Sequence, residues 1–150
     1  MEKTIINSIH IHANAEKVWD ALINPEKTKV YMFGCATVST WEIGSDLLWE
    51  AMYEGQKTVF VKGKILVFEP NKKLVYSVFD PNSSMEDVPE NYLNVTYELE
   101  ENAGTTLFTV TQGDYNKVAE GDRRYQEAYN NREGWNPILV QIKSLVEAEL

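Results

Sequence analysis

Few residues of this sequence could bind a metal or act as a nucleophile. His10 and His12 are two positions apart on a predicted strand, so their side chains share one side of it with about 7 Å between Cα atoms. A zinc site needs further ligands, and the chain has no third histidine. Cys35 is the single cysteine, and no nearby motif supplies a base to activate its thiol. We therefore predict no metal site, outward-facing histidines and a buried, unreactive Cys35.

Four carboxylates are candidates for acid–base chemistry. Glu98 and Glu100 are paired by the strand period but are predicted to face outward, while Asp80 and Asp114 lie at strand ends, and the sequence predicts no distance from either of them to a partner. Because two carboxylates form an acid–base site only at the right separation, none is assigned a role. The sequence predicts neither a catalytic residue nor a cofactor.

Aromatic side chains at predicted inward positions are more informative. A Tyr hydroxyl or an indole N–H held in apolar surroundings needs a partner, which is protein, water or ligand. These rings could instead simply fill the core, and both interpretations stay open. Thr109 and Thr111, predicted to face the last helix, would add hydroxyl groups to a mostly apolar pocket. The predicted ligand contacts are Trp41, Leu47, Trp49, Tyr53, Tyr76, Tyr97, Thr109, Trp135, Leu139 and Ile142.

The first elements follow from periodicity and caps. Residues 4–12 alternate, with Ile5, Ile9 and Ile11 on one side, which predicts a half-buried strand. Asn14 is a helix N-cap, and the apolar spacing predicts a helix that ends at residues 24–25. A second short helix is predicted from Pro25 towards residue 31.

Six strands follow in a predicted antiparallel meander. Their ranges are 36–43, 47–53, 58–68, 73–79, 92–100 and 105–112, separated by turns and by a loop over residues 80–91. After Gly113 the sequence is polar and compatible with a helix. From Trp135 onward the apolar positions Trp135, Leu139, Ile142 and Val146 form a helical stripe, with Pro137 in the first turn.

An antiparallel sheet with one apolar face and one long helix to cover it is expected to curl around that helix, because both apolar surfaces must be buried. The predicted fold is therefore α+β. About six to seven antiparallel strands form a curved sheet around a long C-terminal helix, with two short helices after the first strand.

Composition limits location and partners. The chain has 150 residues, 43% of them hydrophobic, and residues 1–150 are predicted to form one domain. The formal net charge of −9 disfavours nucleic acid and anionic membranes. No apolar stretch approaches the ~20 residues of a membrane span, and the N-terminus lacks the pattern of a signal peptide. With one cysteine and no internal disulfide, a cytoplasmic location is predicted.

The order of elements and several short segments resemble the START-like (SRPBCC) superfamily. Within it they resemble the family named for the activator of the ninety-kilodalton heat-shock chaperone ATPase. The segments that carry the likeness are IHANAEKVWDALINPEK, Ile43-Gly44-Ser45 with Leu47 and Trp49, Gly63-Lys64-Ile65, Phe68-Glu69-Pro70, Leu74-Val75-Tyr76, Val95–Leu99, Gly104–Leu107 and GWNPILVQIKSLVEAEL. The segments Tyr31–Gly34 and Pro89–Tyr92 resemble a bacterial branch of the family.

The resemblance implies a helix-grip (birch-pollen-allergen-like) fold, with a cavity between sheet and C-terminal helix that holds a small hydrophobic molecule. Two alternatives stay open: a cofactor-independent cyclase or hydrolase acting on a polyketide-like substrate, and a chaperone-associated interaction domain. The chaperone activators carry a further N-terminal domain for which this chain has no room, so contact with a chaperone is not inherited from the family name. A homodimer also stays open.

Overall fold

One antiparallel sheet of seven strands dominates the computed structural model, which describes residues 2–149. Neighbouring strands in the sheet follow the order β1-β7-β6-β5-β4-β3-β2. The strands are β1 (Ile5–Ile11), β2 (Ala36–Val38), β3 (Asp46–Tyr53), β4 (Gln56–Glu69), β5 (Lys73–Val78), β6 (Leu93–Asn102) and β7 (Thr105–Gly113). Irregularities in register at Trp49/Glu50 of β3 and Ile65/Val67 of β4 increase local bending and twist, and the sheet is curved.

Two helices follow β1, as predicted. Helix α1 (Ala15–Ile23) is capped by Asn14, whose side-chain oxygen accepts a hydrogen bond from the Lys17 amide at 3.0 Å. Asn24 caps α2 (Pro25–Tyr31) in the same way, with Pro25 in the first helical turn. The two short helices therefore begin at capping residues recognisable in the sequence.

The last helix, α4 (Asn136–Ala148), presents the predicted apolar stripe to the core. Leu139, Ile142 and Val146 are fully buried, and Trp135, just before the helix, is 9% exposed. The helix packs on β1 and against α1 and α2. At its C-terminal end, the Lys143 ammonium donates to the His10 carbonyl at 2.7 Å and ties the helix to β1. These observations confirm the predicted helix-grip fold.

Two parts of the chain differ from the sequence-based expectation. Strand β2 ends at Val38, not at Ile43, because Trp41 adopts a positive φ of 59° that a strand does not accommodate. The polar stretch after Gly113 contains a separate helix, α3 (Gly121–Tyr129), in which no residue is fully buried. Its half-buried residues Tyr125, Ala128 and Tyr129 pack against the core, while the rest of the helix is polar, which is why the sequence is compatible with a helix here without defining one.

One hydroxyl in the core has no partner among the described residues. Tyr115 is 1% exposed, and its side-chain oxygen makes no hydrogen bond, whereas the Tyr31 hydroxyl donates to the Ala21 carbonyl at 2.7 Å. Burial raises the pKa of Tyr115 to about 12. The two tyrosines therefore form a natural pair for comparing a satisfied with an unsatisfied buried hydroxyl.

None of the helices within residues 2–149 is both long enough and apolar enough to cross a bilayer.

Replacing Leu139 by alanine tests the packing of α4 on the sheet. We expect the free energy of unfolding to fall by about 2–5 kcal/mol, since the side chain is fully buried. Val140→Ala, at a neighbouring position that is 53% exposed, should change it by no more than about 0.5 kcal/mol. Urea denaturation followed by circular dichroism measures both. Equal effects would contradict the orientation of the helix.

Removing single hydroxyls tests the core hydrogen bonds. Tyr31→Phe should lower the free energy of unfolding by about 1 kcal/mol because it leaves the Ala21 carbonyl without its donor. Tyr115→Phe should leave it unchanged or raise it by about 1 kcal/mol, because it removes an unsatisfied buried group. The same denaturation assay applies. A clear loss of stability in Tyr115→Phe would show that its hydroxyl has a partner.

Candidate ligand-binding site

A cavity of about 360 Å³ lies between the inner face of the sheet, the turn after α2 and the start of α4. Its floor is a row of cross-strand neighbours, because Tyr76 pairs with Val95 and Val95 pairs with Gln112 across β5, β6 and β7. The remaining lining residues come from β3, β4, β5 and the two helix ends. The full lining is Met32, Phe33, Cys35, Trp49, Phe60, Val61, Tyr76, Val78, Val95, Gln112 and Trp135.

The cavity reaches the surface at the turn that follows α2. Phe33 borders the cavity and is 83% exposed, with a positive φ of 55°. Backbone hydrogen bonds from Gly34 to the Lys29 carbonyl at 3.1 Å and from Cys35 to the Met32 carbonyl at 2.9 Å hold this turn. A ligand could therefore enter past an aromatic side chain that is not packed into the core.

Two tyrosine hydroxyls form a hydrogen bond beside the cavity floor. The oxygens of Tyr76 and Tyr97 are 2.6 Å apart, and both residues are 1% exposed. Burial raises the pKa of both hydroxyls well above the ordinary value of a tyrosine. Both groups therefore stay protonated at neutral pH and act as neutral hydrogen-bonding groups.

Trp135 anchors the start of α4 to the sheet by two hydrogen bonds. Its backbone amide donates to the Asn7 side-chain oxygen at 2.9 Å, and its indole N–H donates to Oε1 of Gln112 at 2.8 Å. The second bond also orients Gln112, because an indole N–H only donates and must face the amide oxygen. The NH₂ group of Gln112 is thereby directed away from the indole.

Cys35 is 8% exposed at the cavity wall, and burial raises the pKa of its thiol. A raised pKa lowers the fraction of thiolate, which is the nucleophilic form. The prediction of a small buried hydrophobic residue is confirmed.

The ten predicted ligand contacts separate into three groups. Trp49, Tyr76 and Trp135 line the cavity. Four others lie in the buried core around it, namely Leu47, Tyr97, Leu139 and Ile142. Trp41, Tyr53 and Thr109 lie elsewhere.

Trp41 and Tyr53 lie away from the cavity for local reasons. Trp41 follows the end of β2 and is half-buried, with its ring 6.1 Å from that of Phe68. Tyr53 is 57% exposed at the end of the β3–β4 hairpin, where it packs on Phe60 at 6.0 Å. The register shift at Trp49/Glu50 makes Phe60 an additional residue in β4, and Phe60 lines the cavity.

The prediction that Thr109 and Thr111 face the helix is wrong. Thr109 pairs with the exposed residues Glu98 and Ser8, so it lies on the outer face, and Thr111 shares that face. The inner positions of β7 are Thr106, Phe108, Val110 and Gln112. Apolar residues occur at both phases of this strand, since Leu107 precedes Phe108, so the sequence alone does not determine which phase faces inward.

The residues that sequence reasoning missed are Met32, Phe33, Cys35, Phe60, Val61, Val78, Val95 and Gln112. Val78 and Val95 are each two residues from a predicted contact, Tyr76 and Tyr97 respectively, so the strand period places them on the same inward faces. Gln112 is two residues beyond Val110, so the correct phase of β7 would have found it.

The other chemical candidates are not brought together. His10 and His12 are exposed on the outer side, as predicted, and so are Glu98 and Glu100. Within residues 2–149, no cluster of three or more histidine, cysteine or acidic side chains could hold a metal ion.

Comparison with known proteins supports the fold and shows the family. The family model described as Activator of Hsp90 ATPase homolog 1-like protein matches residues 12–147. The solution structure of ChR145 from Cytophaga hutchinsonii is 34% identical, covers 99% of this chain and 97% of that one, and superimposes with a TM-score of 0.75. A search of curated protein sequences finds no match.

More distant structures share the fold. The Aha1 dimer from Colwellia psychrerythraea is 18% identical over 97% of this chain and 96% of that one, with a TM-score of 0.67. DynU16, a protein in the dynemicin biosynthetic locus, is 13% identical over 99% of this chain and 49% of that one, with a TM-score of 0.72.

Alkylation of Cys35 by iodoacetamide tests the electrostatics of the cavity wall. We expect the native rate at pH 8 to be at least about tenfold below that of the urea-unfolded chain, because burial limits access and raises the thiol pKa. The native rate should still be rising above pH 9. Mass spectrometry of this single-cysteine chain reports the rate directly. A rate that levels off below pH 8 would indicate an activated thiolate.

Proposed function

This chain belongs to the family of activator of Hsp90 ATPase homolog 1-like proteins, within the START-like superfamily, and on this premise we propose that it binds a small hydrophobic molecule in the cavity between sheet and α4. One observation carries the proposal: of the eleven residues around the cavity, none is charged and most are apolar or aromatic. Ligand sites in proteins typically combine such a lining with a few oriented polar groups.

The size of the cavity suits a compact ligand. Its volume of about 360 Å³ is at the lower end of the ~300–1,000 Å³ typical of small-molecule sites. Transfer of apolar surface from water contributes roughly 25 cal/mol per Å², so a bicyclic molecule gains several kcal/mol on entry. The half-buried Met32 lies at the mouth, where a flexible thioether adapts to different shapes.

We also propose a cytoplasmic location and a single domain over residues 1–150. A cytoplasmic location agrees with a buried thiol and with no second cysteine to oxidise it internally. Residues 1–150 acting as one domain agrees with a core in which β1, the sheet and α4 share one cluster of buried side chains.

An enzymatic role has weaker support. DynU16 lies in a biosynthetic locus, but its likeness to this chain concerns the fold alone. The cavity lining includes no Asp, Glu or His that could serve as a general acid or base. A chaperone-associated role is supported only by the description of the family. A homodimer is supported only by the likeness to the Aha1 dimer from Colwellia psychrerythraea.

Binding of the neutral fluorescent probe N-phenyl-1-naphthylamine tests the proposal. We expect saturable binding with one site per chain. Val78→Phe should weaken it at least about tenfold, because Val78 is half-buried and borders the cavity. Val75→Phe is the matched control on the opposite face of β5, and it should bind like the wild type. Fluorescence titration measures all three.

The site of binding is checked separately. Because Cys35 lies in the cavity wall, the probe at saturation should slow its alkylation severalfold. If the probe binds saturably but Val78→Phe does not weaken binding and the probe does not slow Cys35 alkylation, the probe binds elsewhere and the proposal is contradicted. A wild type that shows no saturable binding would also do so.

A further inference from the structure

Within the described part of the chain, one hydrogen of the Tyr76–Tyr97 hydroxyl pair is left without an acceptor. Two hydroxyls carry two hydrogens, and the contact of 2.6 Å between Tyr76 and Tyr97 uses one of them. Across residues 2–149, the other hydrogen has no acceptor: the contact with Tyr97 is the only hydrogen bond of Tyr76, and the same holds in reverse. A buried donor without an acceptor is costly, so a bound molecule that supplies one is favoured.

The position of the two rings indicates which hydroxyl offers its hydrogen. Tyr76 lines the cavity, whereas Tyr97 lies behind it, with its ring 5.3 Å from Phe108 and 6.0 Å from Trp135. Within residues 2–149 the Tyr97 hydroxyl makes no hydrogen bond other than the one to Tyr76. The arrangement that satisfies most groups therefore has Tyr97 donating to Tyr76, and Tyr76 donating into the cavity.

Gln112 adds a second donor on the same floor. Its oxygen accepts from the Trp135 indole at 2.8 Å, which leaves its NH₂ group available, and the described residues supply no acceptor for it. Gln112 and Tyr76 lie in one cross-strand row, separated by Val95. Tyr76 and Gln112 thus line the same cavity from β5 and β7, with β6 between them, and Gln112 also borders a second pocket beside Tyr115.

The cavity also lacks charge. None of its eleven lining residues is Lys, Arg, Asp, Glu or His. Burying a carboxylate or an ammonium group with no opposite charge nearby is strongly unfavourable. An anionic or cationic headgroup is therefore disfavoured at this floor.

We propose that the ligand is a neutral, mostly apolar molecule that carries a carbonyl-type oxygen, and that this oxygen accepts a hydrogen bond from the Tyr76 hydroxyl, with the Gln112 amide as a second polar group at the same cavity. The inference rests on the proposed binding function and adds the chemical class of the ligand. Val95 lies between the two donors and contacts the carbon skeleton.

A matched pair of probes tests the inference on the full chain. The compounds 2-acetylnaphthalene and 2-ethylnaphthalene have nearly the same shape and differ in a carbonyl against a methylene. In a purely apolar cavity the hydrocarbon would bind more tightly, because the ketone loses its hydrogen bonds to water. We expect the wild type to bind the ketone at least about tenfold more tightly, as measured by equilibrium dialysis.

Two phenylalanine variants identify the donor. Tyr76→Phe should abolish the preference for the ketone and keep binding of the hydrocarbon. Tyr115→Phe, the control, should keep the preference, because Tyr115 is a buried tyrosine that does not line the cavity. Circular dichroism shows whether each variant is folded. If Tyr76→Phe fails to fold, the infrared carbonyl frequency of the ketone bound to the wild type tests the hydrogen bond instead. A hydrogen-bonded carbonyl should absorb at a lower frequency than the same ketone in hexane.

The outcomes are distinct. If neither probe binds to the wild type, the proposed binding function is wrong and the inference fails with it. If the hydrocarbon binds as tightly as the ketone, or more tightly, the cavity binds ligands but has no specific polar recognition, and only the inference is overturned. A bound ketone whose carbonyl frequency matches that in hexane also overturns it.

Discussion

The anchoring of α4 against the inner face of the sheet determines the rest of the structure. Leu139, Ile142 and Val146 are fully buried, and Trp135 is hydrogen-bonded to Asn7 and Gln112 where the helix begins. These contacts fix both the rotation of the helix and the point at which it starts. The cavity lies beside that point, between the sheet, the turn after α2 and Trp135. The position of α4 on the curved sheet therefore fixes one boundary of the cavity.

Polar groups are placed around this cavity by the same contacts that stabilise the core. The indole of Trp135 both closes the end of the cavity and orients the Gln112 amide. The Tyr76–Tyr97 pair joins two strands through a buried hydrogen bond, and its ring contacts link the sheet to Trp135. Because the proposed recognition and the stability of the core involve the same residues, the conservative change of a hydroxyl to hydrogen separates the two effects better than truncation to alanine.

Much of the fold was predictable because it depends on local signals. The caps at Asn14 and Asn24 and the stripe ending at Val146 are each encoded in a few neighbouring residues. The site was less predictable because it depends on strand phase and on irregular backbone. In β7 apolar residues occupy both phases, so Thr109 was placed inward and Gln112 was missed. The short length of β2, the register shift beside Phe60 and the mouth at Phe33 have no periodic signature.

The most direct test of an unfilled cavity at the start of α4 is a crystal structure of the protein under xenon pressure. Xenon occupies dry apolar cavities without needing specific contacts. We predict a xenon atom bounded by Trp49, Tyr76, Val95 and Trp135, with the surrounding side chains unmoved. A structure with no xenon there, in which these side chains have closed on one another, would show that the core is filled and would contradict a binding cavity.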